Sequence, residues 1–475
     1  MERCYTKPVK TAVRGNRRTG PVRKCAWEGA RSRSHSKMIH CVERSKNMKH
    51  LKRTAVFLMA AAMALTVTAC GGGGGGGTSD GKLTMQIWDN SQREAMQALA
   101  DAYHEQNPDV TIEVQVTSWD EYWTKLEAAA GSGNLPDIFW MHTNQILLYA
   151  DNGMLADVTD LYDDDTYSHY SDVSIANTQG SDGRMYGIPK DKDTVCLVYN
   201  KEMFDQAGVA YPDENWTWDD LVDASQKIYD ATGKYGYMAY CDDQLGYWNF
   251  VYQNGGYILN EDKTAAGFDQ PATIEAMKFY IGLQDYEWCP DQNYFAETAP
   301  GNAFFSEQGA MFLEGTWNLM AEMKNYPEMQ GKWDVAVLPK SPNPASGDGR
   351  ATISNGLCYA TSSKNQDNET VMNFLKWLGS EEAQKLQSSY GAAISGYEGT
   401  EQAWVDAFDQ FDYKLNVQAC IDMFDYSVQS VNDATRPVWK SKVSDELLKV
   451  YGGQVSVDEG LKNCNDIINQ AIAEG

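Results

Sequence analysis

The chain has 475 residues and a net charge of −26, from 66 acidic against 40 basic side chains. A surface so acidic repels the phosphates of nucleic acid and of anionic lipid, which excludes a nucleic-acid partner and favours neutral or cationic ligands. The length suits two lobes rather than one core.

Residues 1–47 are an exception, strongly basic through RGNRRTG and RSRSHSK and without apolar periodicity. A basic block can signal nucleic acid, but this one precedes a complete leader beginning at Met48 and reads as a non-native extension outside the fold. In that leader Lys49, Lys52 and Arg53 precede an apolar run from Ala55 to Val67, short of the roughly 20 residues that cross a bilayer core. Residues 48–69 therefore read as a secretory signal peptide. Its end, Val67-Thr68-Ala69-Cys70, resembles a bacterial lipobox, which implies that Cys70 is lipidated and becomes the anchored N-terminus. Gly71 to Gly77 follow; they lack the Gly-Lys-Ser/Thr of a phosphate loop, so residues 70–81 read as lipidated cysteine and flexible tether.

Six further cysteines follow, Cys196, Cys241, Cys289, Cys358, Cys420 and Cys464, with no CxxC pair among them and hence no zinc-ribbon spacing. An exported location permits disulfides, and their pairing is open. Cys196 and Cys358 stand in apolar runs, where a free core thiol is the commoner fate.

The body opens with KLTMQIWDN, a strand by its alternation at Leu83, Met85 and Ile87. Ser91 and Glu94 have capping-box spacing before a helix carrying Met96, Leu99, Ala100 and Tyr103. VTIEVQV alternates again, Ser118 and Glu121 open a second helix, and GSGNLPDIFWM turns into a third strand. This βαβαβ order is that of a parallel, doubly wound sheet. A second α/β unit begins at DTVCLVYNKEMFDQAGV, and NWTWDDLVDASQKI supplies a helix capped by Thr217 and Asp220. Farther on, WDVAVLP and ISNGLCYATSS each read as a strand, ETVMNFLKWLG and SEEAQKLQSSY as helices, and SVDEGLKNCNDIINQAI as the last helix, capped by Ser456 and Glu459.

GNLPDIFWMHTNQILLYADNGMLADVTDL, MYGIPKDKDTVCLVYNKEMFDQAGV, FFSEQGAMFLEGTWNL and FLKWLGSEEAQKL, in this order, resemble the family 1 extracellular solute-binding proteins. The resemblance implies a periplasmic-binding-protein-like α/β fold of two lobes, each a mixed sheet flanked by helices, joined by a hinge. It implies residues 82–192 plus about 300–345 in the first lobe and 193–299 plus about 346–475 in the second. It further implies a monomer, anchored at the outer face of the cell membrane, that delivers a carbohydrate to the transmembrane subunits of an ABC permease.

In open α/β sheets ligands gather beyond the carboxyl ends of strands. Those ends supply Trp88 and Asn90, Trp119, and His142 and Asn144, pairing ring faces for sugar C–H surfaces with amides for hydroxyls. Trp123 and Trp140, inside their elements, read as core. The resemblance adds Trp317 as a stacking platform and places Asp191 and Asp193 at the first hinge crossing, where they accept sugar hydroxyls or form a charged turn. Trp248 and Asn355 are secondary candidates from the other lobe, and Arg436 either clamps hydroxyls or pairs an acid.

Catalysis finds little support. There is no G-x-S-x-G elbow, and beyond the leader His104, His142 and His169 have no HExxH spacing. No metal site or cofactor is expected. A glycoside hydrolase, which needs two carboxylates across a cleft, and a polyamine receptor of similar fold are the alternative readings.

Overall fold

The computed structural model of the chain describes residues 81–474. The basic stretch at 1–47, the leader at 48–69, Cys70 and the glycine tether lie outside the described residues.

Strand β1 (Lys82–Ile87) buries Leu83, Met85 and Ile87, as its alternation implies. The expected capping box at Ser91 and Glu94 does not form. Asp89 takes the role instead, accepting the Ser91 backbone N–H at 2.8 Å and its hydroxyl at 2.7 Å, and a short turn leads into helix α1 (Arg93–Gln106). A carboxylate outranks a later serine because it can satisfy two donors at once. Strand β2 (Thr111–Val116) and helix α2 (Trp119–Ser132) follow; Ser118 precedes α2 without a side-chain cap. All five residues of strand β3 (Ile138–His142) are buried, and His142 caps helix α3 (Thr143–Asp151).

β1 pairs in parallel with β2 and β3, so the βαβαβ reading holds. The sheet order is β2-β1-β3-β10-β4, with β4 spanning Ile188–Pro189 and β10 (Leu357–Ala360) antiparallel to both neighbours. Along β3, Ile138 and Trp140 join the core beneath α1, whereas Phe139 and Met141 join the core beneath α2 and α3. Period-two alternation thus gives each face of one sheet its own helix layer.

The second sheet has the order β6-β7-β5-β8. Its central strand β5 (Val195–Asn200) is buried throughout, the continuous apolar run of a strand covered on both faces. Helix α4 (Trp218–Thr232) forms the capping box expected of Thr217 and Asp220, and precedes β6 (Tyr235–Tyr237). Helix α5 (Pro300–Phe305), strand β7 (Gly309–Gly315), helix α6 (Leu319–Asn325) and strand β8 (Trp333–Ala336) complete this lobe's central layer.

Here the expected division of the chain is corrected. β7 and β8 pair with β5, so 300–345 builds the second sheet rather than the first. Conversely β10, helix α7 (Glu369–Leu378) and helix α8 (Glu381–Ser389) belong with the first sheet, not the second. ISNGLCYATSS, read as one strand, is two. β9 (Thr352–Ser354) pairs with β11 (Ser427–Gln429), and the chain breaks at Asn355-Gly356 before entering β10. A Cβ on Gly356 would lie 3.0 Å from the Asp191 carbonyl oxygen, so only glycine passes that crossing comfortably.

The chain crosses between sheets from Pro189 to Val195 and from Ser354 to Leu357. The two crossings are bonded to each other, Asp193 N–H to Asn355 O at 3.0 Å and Asn355 N–H to Asp193 O at 3.3 Å. Helix α9 (Arg436–Tyr451) and helix α10 (Val457–Glu474) finish the second lobe, and α9 also reaches α3 of the first. No described helix is long and apolar enough to cross a membrane.

Candidate ligand-binding site

Beyond β1 and β3 the first lobe forms an aromatic nest. Trp88 lies edge-on to Trp119 at 5.1 Å and to Trp140 at 5.0 Å, and tilted against Trp123 at 5.7 Å. Trp140 is fully buried, as read, whereas Trp123 is only partly so and its indole N–H has no partner. Trp119 is 46 % exposed and Trp88 half-buried. Packing against the inner rings fixes both in orientation, the condition for a stacking platform.

His142 sits beside them, 5.8 Å from Trp119 between ring centroids. Its Nδ1 accepts the Asn144 backbone N–H at 3.1 Å. Its Nε2 lies 3.5 Å from Asn355 Nδ2. Burial, then the positive charges of Arg436 and Lys440, hold the His142 pKa down to about 3 against the opposing pull of Asp243. Arg436, Lys440 and Asp243 all come from the second lobe, so His142 marks where the lobes face each other.

The hinge acids are not an exposed turn. Lys190, fully buried, reaches Asp191 Oδ2 at 2.6 Å and Gln92 Oε1 at 3.0 Å, with its ammonium 4.4 Å from the Trp140 ring centroid. Asp191 Oδ1 accepts the Leu357 N–H at 2.8 Å. Asp193 accepts the Thr316 hydroxyl at 3.1 Å, and burial followed by the nearby Asp191 pushes its pKa well up. These side chains tie the crossings together.

On the second lobe Arg436 stands at the start of α9, paired with Asp243 at 2.7 Å and lying 5.0 Å over Trp248. Lys440, one turn on, reaches the same carboxylate at 3.3 Å. Burial would raise Asp243, but these two cations hold it below the ordinary range, while burial and Asp243 push Asp242 up to about 6. Among the described residues Arg436 Nε and Nη1, Asn144 Oδ1 and Asn355 Oδ1 have no hydrogen-bond partner. Trp317 is half-buried at the end of β7, its ring so close over Gly315 that a Cβ there would lie 2.2 Å from it.

The structure therefore brings Trp88, Trp119, His142 and Asn144 together on one side, with Asn355 at the hinge and Arg436 opposite. It corrects other expectations. Trp248 is 1 % exposed in the core beneath Arg436 and has no face for a ligand. Asp191 is committed to Lys190 and Leu357. Asn90 is exposed and lines a groove of about 770 Å³ with Arg93, Gln97 and Tyr390 along α1, a groove that Trp88 and Trp119 do not line.

Sequence reasoning named Arg436 but missed Asp243 and Lys440, which group with it, and it missed Glu314 and Glu322. These last two line a cavity of about 400 Å³ at the carboxyl ends of β6 and β7. A signal existed for Glu314, an acid closing the otherwise apolar run GAMFL. Among the described residues no group of three or more His, Cys, Asp or Glu could hold a metal ion.

Comparison with known proteins gives the family of the chain. The family described as bacterial extracellular solute-binding protein matches residues 89–385. A binding protein of Brucella abortus is 25 % identical over 279 residues, covering 58 % of this chain and 66 % of its own length. The chain thus spans just under two thirds of that relative. The galactooligosaccharide-binding protein of Bacillus subtilis is 24 % identical over 358 residues, 72 % of this chain and 79 % of its own. An ABC substrate-binding protein of Listeria monocytogenes, solved in complex with cycloalternan, is 25 % identical with a TM-score of 0.73, covering 82 % of this chain and 99 % of its own.

Proposed function

We propose, on the premise that the chain belongs to the family of bacterial extracellular solute-binding proteins, that it is the receptor of an ABC importer for an oligosaccharide. It holds the sugar between its two lobes and hands it to the permease at the outer face of the membrane, tethered as a monomer through a lipid on Cys70. The observation that carries this reading is the facing of two sets of groups: Trp88, Trp119, His142 and Asn144 from one lobe, and Arg436 with two unpaired guanidinium nitrogens from the other. Ring faces take the C–H surface of a pyranose, and the unpaired donors and amide oxygens take its hydroxyls. The sugar-binding relatives support the ligand class.

The receptor releases its ligand unchanged. Titrating purified protein with neutral oligosaccharides changes tryptophan fluorescence, and Trp317→Ala weakens binding by about thirtyfold or more, as loss of an aromatic anchor does. Unaltered affinity in that variant removes Trp317 from the site, and shortened saccharide after incubation overturns the receptor reading in favour of a hydrolase. Cys70→Ser leaves the protein unlipidated and released from cells.

A further inference from the structure

The cavity at the carboxyl ends of β6 and β7 is walled by Tyr240, Phe295, Phe305, Phe312 and Tyr326, and the acids on its lining are Glu314 and Glu322. Both are more than nine-tenths buried, at 6 % and 8 % exposed. Glu314 Oε1 is satisfied, accepting the Gly315 N–H at 2.7 Å and the Asn318 amide at 2.9 Å. Among the described residues Glu322 Oε2 has no donor, and the one side-chain partner of the Glu322 carboxyl is that of Glu314. The two carboxyl groups converge: a Cβ on Gly301 would lie 3.7 Å from Glu322 Oε1 and 3.9 Å from Glu314 Oε2.

Among the described residues, no lysine, arginine or histidine lines the cavity. The ionisable groups near the pair are Asp242, Cys196 and each other, and the wall adds only the phenols of Tyr240 and Tyr326. Two buried carboxylates without a cation cannot both ionise, so they hold a proton between them. Burial, then Glu314, raises Glu322 well above the usual range, and burial raises Glu314.

We propose that this cavity is a subsite for a protonated amine, so that the receptor takes saccharides bearing a basic amino group ahead of their neutral counterparts. An ammonium group supplies the missing donor to Glu322 Oε2, replaces the shared proton as counter-charge, and meets ring faces that attract a cation. The proton it displaces leaves to solvent: one ammonium enters, one proton departs, and no covalent bond changes. A neutral hydroxyl could donate to the same oxygen but brings no charge, so the shared proton stays and the pair gains no counter-charge. The acidic surface raises the local concentration of such a ligand. This inference rests on the saccharide reading above; Asn318, which lines the cavity, directly follows Trp317.

The test compares cello-oligosaccharides with chitosan oligosaccharides of equal length, which differ by an amine in place of a hydroxyl. Calorimetry on the mature protein, run in two buffers of different ionisation enthalpy, should show the amine series binding at least about tenfold more tightly and releasing close to one proton, with none released by the neutral series. Glu322→Gln should abolish both the preference and the proton release. Gly301→Ala, which puts a methyl 3.7 Å from Glu322 Oε1 and 3.9 Å from Glu314 Oε2 in a helix where alanine is favoured, should abolish the preference with the melting temperature kept. Neutral sugars binding as well as amines, or either variant keeping the preference, overturns the subsite. Spermidine binding while neither sugar series binds sinks the saccharide reading and leaves the amine site standing.

Discussion

His142 makes acid stability a direct readout of the seam between the lobes. Its pKa is held at about 3, from an ordinary value of 6.5, chiefly by burial and then by Arg436 and Lys440. The unfolded chain therefore binds a proton that the native chain refuses. Stability from this residue is complete above pH 6.5 and is lost progressively as the pH falls towards 3. Between about pH 7.5 and pH 5 the loss is about 2 kcal/mol, and in the acid limit about 5 kcal/mol. The whole protein does not show this alone, because Asp242, raised to about 6, and Asp193 and Glu322, raised further, bind protons more readily when folded and act in the opposite sense. The difference between wild type and His142→Asn isolates it, since asparagine keeps an acceptor for the Asn144 N–H at the start of α3. Urea unfolding at the two pH values should show wild type losing about 2 kcal/mol more than the variant. Equal losses in both proteins refute the placement of a neutral histidine against Arg436.

Three further perturbations follow from named contacts. Lys190→Met strands Asp191 as a buried unpaired charge and should cost about 3–5 kcal/mol in chemical denaturation, much of it recovered in the double variant Lys190→Met/Asp191→Asn; equal stability of single and double variants argues against the pair. Gly315→Ala puts a methyl where the Trp317 ring lies, at 2.2 Å, and should weaken oligosaccharide binding by about tenfold, with near-UV circular dichroism reporting the displaced indole. The thiols of Cys241, Cys289 and Cys464 are pushed up to about 12 mainly by burial, and all six described cysteines are free. Iodoacetamide at pH 8 should therefore label none of the six in the folded protein and all of them in urea, read by mass spectrometry.

What could be read from the chain alone was local. The alternation at Leu83, Met85 and Ile87 and the Thr217/Asp220 capping box carry their conformation within a few residues, and both stand in the structure. Which sheet a strand joins is not local information. GAMFLEG is buried at every position and would look the same in either lobe, and Ser354 and Leu357, three residues apart, lie in strands of different sheets. The site divides in the same way. Trp88 and His142 followed from the strand-end rule, because a strand's direction dictates where its next residue lies. Arg436 was a candidate without a destination, since its partner Asp243 stands 193 positions away. Trp248 was misread because an aromatic beside amides looks alike whether it faces a cleft or carries an arginine over its ring.

The contacts across the seam bear on the lobe closure proposed above. Lys324 of α6 reaches Glu94 of α1 at 3.4 Å, but both side chains are largely exposed, and such pairs contribute at most about 1 kcal/mol. The Gln429 amide donates to Asn177 Oδ1, an ordinary hydrogen bond of similar size. Against these stand the unpaired Arg436 Nε and Nη1, Asn144 Oδ1 and Asn355 Oδ1, each opposing burial by about 1–3 kcal/mol until something pairs it. These are groups that a ligand held between the lobes could pair. Under the receptor reading proposed above, the sugar that fills those valences would favour the closed arrangement, shifting the population by its difference in affinity for the two states and no more. A permease that reads lobe closure would then be reading occupancy, which is the coupling an importer requires.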